Sequence, residues 1–244
     1  MNRDQLLFYA VKYQGEWWKI NKAVTDGEPW KLLKYSGSYM TICDLEYPDK
    51  LRELEQPPWI LFYEGDITFL NTYCSSIMGP KNVDIYGLSS TRAIAESLKG
   101  HTIVTGLSLG VQTEAYRHAD RKIVVMGSGL DVPYPLDNKS LIDQAKREHV
   151  VITEYPKGTK PYAYHFPWRN RLIAALSEEC YIINAKEHSG TMLFAREAQR
   201  LERSVYAVSH PYDKEYQEGY EILIQEGALD FTGCDTCKAK FIMQ

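Results

Sequence analysis

The chain has 244 residues and 28 Lys and Arg against 32 Asp and Glu, a formal net charge of −4. Apolar residues make up 44% and charged residues 25%, a globular balance that excludes disorder and low complexity. The longest apolar runs, such as Ile123-Val-Val-Met126 and Tyr181-Ile-Ile183, fall far short of the ~20 residues of a membrane span. Met1-Asn-Arg-Asp leads into no secretory core, and five cysteines are too few for a disulfide scaffold. A cytoplasmic protein without membrane contact is expected.

Taken in chain order, the first 45 residues stand apart: aromatic punctuation (Trp17, Trp18, Trp30, Tyr35), many lysines, and breaks at Gly15, Gly27-Glu-Pro29 and Ser36-Gly-Ser38. They predict two or three short helices, for example over 3–13 and 28–35, too small to bury a core alone. A bridge from Tyr47-Pro-Asp-Lys-Leu51 to Gln56-Pro-Pro58 then leads to a strand, Trp59-Ile-Leu-Phe-Tyr63, closed by Glu64-Gly65. From Val83 the pattern becomes strand, turn, helix. Val83-Asp-Ile-Tyr86 ends at Gly87 before a helix over 90–99, and His101-Thr-Ile-Val-Thr105 ends at Gly106 before one over 109–119. Lys122-Ile-Val-Val-Met126 runs into Gly127-Ser-Gly129 and a helix over 138–148. Three more strands, Val150-Val-Ile-Thr153, Cys180-Tyr-Ile-Ile183 and Ser204-Val-Tyr-Ala-Val208, alternate with helices over 169–177, 190–202 and 215–226. Short continuous β-branched strands separated by helices imply a mostly parallel sheet covered on both faces. The fold class expected is α/β, an extended Rossmann-like doubly wound domain over 46–244 with a short helical segment over 1–45.

In such sheets ligands bind beyond the carboxyl ends of the strands, where glycine turns and helix N-termini present free N–H groups. Gly87-Leu-Ser-Ser90, Gly106-Leu-Ser-Leu-Gly110 and Gly127-Ser-Gly129 suit an anion, above all phosphate, although each is also an ordinary strand-to-helix connection. The dinucleotide fingerprint fails, because Val132 stands where the third glycine belongs, and the Walker pattern is absent. No cofactor is expected. Gly106-Leu-Ser-Leu-Gly110 matches Gly-x-Ser-x-Gly, and His149, His165, His188 and His210 follow, so a hydrolase stays open beside the plain turn. Cys234-Asp-Thr-Cys237 is half of a zinc ribbon without its second half, which reads as a reduced surface pair rather than a metal site.

The most informative stretch runs from Glu154-Tyr-Pro156 through His165-Phe-Pro-Trp-Arg-Asn-Arg171 to His188-Ser-Gly-Thr191. Pro167 sets Arg169, Asn170 and Arg171 near a helix N-terminus, where arginine forks match phosphate oxygens; the alternative is internal ion pairs that hold loops. Ser189, Gly190 and Thr191 open a further helix with two hydroxyls. Other basic groups, such as Arg117, His118, Arg121 and Lys122, read as solvated faces.

These segments, with Gly129-Leu-Asp-Val-Pro-Tyr-Pro135, Phe166-Pro-Trp-Arg-Asn-Arg171-Leu-Ile-Ala-Ala-Leu-Ser177 and Gln225-Glu-Gly-Ala228, resemble the DNA-processing protein A (DprA, or Smf) family over about four-fifths of the chain. The resemblance implies a cytoplasmic, non-catalytic homodimer. Such a protein binds single-stranded DNA and helps load RecA recombinase on incoming DNA during natural transformation. Together with the glycine turns it nominates Gly87, Ser89, Gly106, Ser108, Gly127, Gly129, Lys139, Phe166, Arg169, Asn170, Arg171, Ser189, Gly190 and Thr191 for nucleic-acid and phosphate contacts, with bases stacking on Phe166 or Trp168. Against the family's Gly-Ser-Arg turn, Gly87-Leu-Ser89 carries no arginine. Leu109 and Gln112 replace the arginine and aspartate of its second turn, and Leu136 replaces a basic residue. Loss of up to three cations implies lower affinity and a shallower salt slope. No winged helix is expected after the α/β domain. The alternatives are a nucleotide-binding sensor or a nucleotide-processing enzyme of the same superfamily, whose Pro-Gly-Gly-x-Gly-Thr-x-x-Glu loop is matched here only by His188-Ser-Gly-Thr191 without the glutamate.

Overall fold

A computed structural model describes residues 1–231; the Cys234 and Cys237 pair lies outside the described residues. The elements begin with α1 (Arg3–Lys12), α2 (Trp17–Thr25), β1 (Ser38–Thr41), α3 (Asp49–Arg52), β2 (Ile60–Gly65) and β3 (Cys74–Met78). Then come α4 (Ile85–Ser97), β4 (Thr102–Thr105), α5 (Val111–His118), β5 (Arg121–Val125), α6 (Lys139–Glu148) and β6 (Val150–Thr153). The last are α7 (His165–Leu176), β7 (Glu179–Ile182), α8 (Gly190–Arg200), β8 (Ser204–Ala207), α9 (Lys214–Gln225) and β9 (Leu229–Asp230).

The chain forms two compact units. One comprises Met1–Asn71 with Ile123–Leu172, the other Thr72–Lys122 with the described residues from Ile173 on. In the first unit β1 pairs antiparallel with β2, β2 antiparallel with β6, and β6 parallel with β5. In the second, β4, β3, β7, β8 and β9 lie side by side in that order, all parallel. The mostly parallel Rossmann-like α/β architecture read from the sequence is the one found. Val150, Val151 and Ile152 of β6 and Ile123, Val124 and Val125 of β5 are fully buried, as continuous apolar runs under helices should be. Ile77, Ile94, Ile103, Val111 and Ile183 form the core of the second unit. On α8, Thr191, Met192, Phe194, Ala195 and Ala198 face inward at helical spacing.

Four readings of local structure are corrected. The strand expected at Val83-Asp-Ile-Tyr86 is instead the entry to α4, because the Asp84 carboxylate caps the helix by accepting the Gly87 N–H at 2.8 Å. The strand of that unit is β3, whose buried Ser75 hid it; its hydroxyl is satisfied by His101 Nδ1 at 2.9 Å. Residues 28–35 are not helical. Glu28 is held by Lys12 of α1 and by Tyr13, which caps that helix, and Tyr35 leans on Phe62 with ring centres 5.0 Å apart, while the second helix forms at Trp17–Thr25. Finally, α7 starts at His165, so Arg169 and Arg171 sit beyond its first turn.

Candidate nucleic-acid interface

In the second unit the turn after β3 is Gly79-Pro80-Lys81, which packs directly on the turn after β4. Val111 N–H donates to Pro80 O at 3.4 Å, and a Cβ on Gly110 would stand 2.3 Å from Lys81 O and 2.5 Å from Pro80 O. Gly110 also has φ of 76°, so only glycine fits. Lys81 is left exposed and has no ion-pair partner among the described residues. A glycine followed two places on by a cation is the pattern expected of the family's first turn. It occurs here, eight residues before the position read from sequence (Gly79 against Gly87).

Gly87 and Ser89 therefore belong to a helix and not to a phosphate turn. The Asp84 carboxylate already occupies the place an anion would take, and it also accepts from Asn184 Nδ2 at 3.1 Å and His210 Nε2 at 2.8 Å. Burial pushes the Asp84 carboxyl up. The bonds from Gly87, His210 and Asn184 outweigh that and hold it below the usual carboxylate range. A group lowered on folding contributes stability above its unfolded pKa and loses it as pH falls through the folded value. Asp84→Ala should cost about 1–2 kcal/mol at pH 7 through loss of the cap. The gap between urea melts of variant and wild type should narrow as pH falls through the carboxylate range; a gap that stays constant with pH would refute the charged cap.

Gly106 N–H is likewise taken, by Gln112 Oε1 at 2.9 Å, which also accepts from the Thr105 hydroxyl at 3.3 Å. Ser108 has no histidine partner among the described residues. Among the described residues, His210 binds Asp84, His165 binds Gly127, His149 packs edge-on to Phe69, and His188 is exposed beside Glu187. At α8, Ser189 caps the helix by accepting Met192 N–H at 3.2 Å, Gly190 is open, and Thr191 is buried. The adjoining cleft of about 620 Å³ carries Glu215, Glu218 and Glu221 on its α9 wall, and Lys186 is paired with Glu215. That wall repels phosphate.

In the first unit, Gly127-Ser128-Gly129 follows β5. Gly127 O accepts the Nδ1–H of His165 at 2.8 Å, and burial lowers the His165 pKa. A Cβ on Gly127 would lie 3.2 Å from the Phe166 ring, which itself sits 5.2 Å from the exposed ring of Tyr134. Gly129 N–H donates to Thr159 O at 2.9 Å. Arg169 is 4% exposed; its Nη1 donates to Val125 O at 2.6 Å, and its guanidinium lies 5.9 Å from the Phe166 ring centre. Burial pushes it down to about 10, still charged at neutral pH. Nε has no hydrogen-bond partner, and no carboxylate pairs with the side chain among the described residues. An uncompensated cation is thus buried at the carboxyl end of β5. Arg171 is different: its fork grips Glu154 at 2.6 and 2.7 Å, with both groups buried, and lies 4.0 Å over Trp168. It is an internal ion pair. The Asn170 Oδ1 is buried without a partner, and the exposed Lys139 is paired with Asp143 at 2.5 Å.

The structure therefore gathers Gly127, Phe166 and Arg169 in one unit. In the other it gathers the β3 and β4 turns with Lys81, which sequence reasoning missed. Its signal was Gly-Pro-Lys after the serine-bearing apolar run of β3. Among the described residues no cluster of three or more metal-type ligands occurs, and no helix is long and apolar enough to cross a membrane.

Residues 38–241 match the family model described as DNA recombination-mediator protein A. The chain belongs to this family. The DprA protein of Streptococcus pneumoniae is 34% identical over 206 residues, covering 82% of this chain and 73% of that protein. DprA of Bacillus subtilis is 34% identical over 194 residues, 77% of this chain and 65% of the relative. The solved structure of the pneumococcal DprA superposes with a TM-score of 0.82 at 28% identity, covering 96% of this chain and 95% of that one. DprA of Helicobacter pylori, solved for its unique single-stranded DNA binding mode, superposes at 0.75 with 27% identity, covering 86% and 98%.

Proposed function

We propose that this DprA-family chain binds single-stranded DNA and passes it to a RecA-type recombinase, acting as a cytoplasmic homodimer. The observation that carries the DNA reading is Arg169, a buried cation with no carboxylate partner among the described residues, below a glycine turn at the end of a Rossmann strand. Such a cation lowers the free energy of an anion at the turn, and a phosphodiester is the anion that fits the family. Phe166 and Tyr134 beside the turn offer faces for bases. In the second unit Lys81 supplies an exposed charge just after β3. Transfer to a recombinase is supported by the family's description as a recombination mediator.

The test is fluorescence anisotropy of labelled oligo-dT across a salt series. The logarithm of the association constant should fall linearly with log salt, by about 0.7 per phosphate neutralised. Lys81→Ala, an exposed substitution, should reduce that slope by about 0.7 and weaken binding uniformly across sequences. A folded protein that fails to bind at low salt would overturn the reading.

A further inference from the structure

We propose that α2 and the segment leading into α7 form a second base-stacking platform for the same strand, a reading that rests on the single-strand binding proposed above. Three large aromatic side chains stand exposed there: Trp18 at 61%, Tyr164 at 56% and Tyr162 at 49%. They are not scattered. Trp18 lies 6.4 Å from Trp168, Tyr164 lies one helical turn before Trp168, and Tyr162 stacks on Tyr164 at 5.7 Å and 8°.

The rings are held before any ligand arrives. Trp18 sits edge-on to Trp17 at 4.7 Å, and Trp17 is anchored by its Nε1–H to Pro57 O at 2.7 Å and by stacking on Trp59 at 6.0 Å. The Tyr164 hydroxyl donates to Glu16 Oε1 at 2.7 Å, so that carboxylate faces the phenol. Trp168 is backed by the Arg171 guanidinium at 4.0 Å, which Glu154 fixes in turn. Exposed aromatic faces with little rotamer freedom left to lose are effective stacking partners.

Charge selects the occupant. Lys19 and Lys160 flank the aromatic residues in sequence, are exposed, and have no ion-pair partner among the described residues. Of the other apolar members of α2, Trp17, Ile20 and Ala23 are buried and Val24 is half-buried, so the exposed side chains of this surface are mainly aromatic and cationic and offer little of the aliphatic contact of a protein-docking face. Aromatic faces interleaved with cations match the bases and phosphates of a single strand.

The full chain should be titrated with oligo-dT and with an abasic oligonucleotide of equal length, as wild type, Trp18→Ala, Tyr162→Ala and Trp18→Phe, each checked for folding by circular dichroism. Each alanine variant should weaken dT binding by about five- to a hundredfold and leave abasic affinity and the salt slope unchanged, and Trp18→Phe should restore most of the loss. If wild type binds dT with a clear salt slope and the alanine variants bind it equally well, the platform is refuted while the function stands. Equal losses on dT and abasic strands would also refute stacking, and would assign the contact to the sugar-phosphate backbone instead. A wild type that binds neither strand overturns the function and the platform with it.

Discussion

Replacing Arg171 with Met should lower the free energy of unfolding by about 3–5 kcal/mol, measured by urea denaturation at neutral pH. The guanidinium and the Glu154 carboxylate form a two-point fork at 2.6 and 2.7 Å with both side chains buried. Removing one partner leaves the other charged, desolvated and unpaired, which costs far more than the net worth of the pair. Glu154→Leu should be similarly damaging alone. The double variant Arg171→Met with Glu154→Leu should recover much of the loss, because two apolar groups bury no orphan charge. A single-variant cost below about 1 kcal/mol would mean that the pair behaves like a solvated surface bridge. The same variants bear on function. Where the protein remains folded, the salt slope for oligo-dT should match wild type, since Arg171 is bonded to Glu154 and not free for phosphate.

The contrast between Arg169 and Arg171 shows where sequence reasoning stops. Two positions apart on a helix, they point roughly 200° away from each other. Nothing local says which meets Glu154 across the unit and which meets the Val125 carbonyl. The fold was legible where its signal was local. The run Val150-Val-Ile-Thr153 is β-branched and bounded by polar residues, and β6 has those bounds. The β3 strand was not legible, because Ser75 and Ser76 read as loop until their burial and the His101 contact are known. That single miss displaced the first phosphate turn to Gly87 and concealed Lys81. Glycine turns at strand ends were visible in the sequence, but the fate of their N–H groups was not. Gly87 gives its hydrogen to Asp84, Gly106 to Gln112 and Gly129 to Thr159. The glycine-x-cation pattern sought at Gly87 occurs instead at Gly79-Pro80-Lys81, so its absence from the first turn was a matter of register.

Gly110→Ala should affect stability and binding together in the second unit. At φ 76° and ψ −127° the residue lies in a region that costs an L-residue about 1–3 kcal/mol. The new methyl would also sit 2.3 Å from Lys81 O and 2.5 Å from Pro80 O. Those are backbone atoms, so relief requires the Gly79-Pro80-Lys81 turn itself to move away from the β4 turn. The expected result is a loss of about 2–4 kcal/mol in urea denaturation. Because the displaced turn carries Lys81, the folded fraction should also bind oligo-dT with the shallower salt slope of Lys81→Ala. Combining the two substitutions then settles the mechanism. If Gly110→Ala acts on DNA only by misplacing Lys81, the double variant will show the same slope as either alone, since the shared phosphate contact can be lost only once. Additive slope changes would instead assign Gly110 a phosphate contact of its own, through backbone groups of the β4 turn.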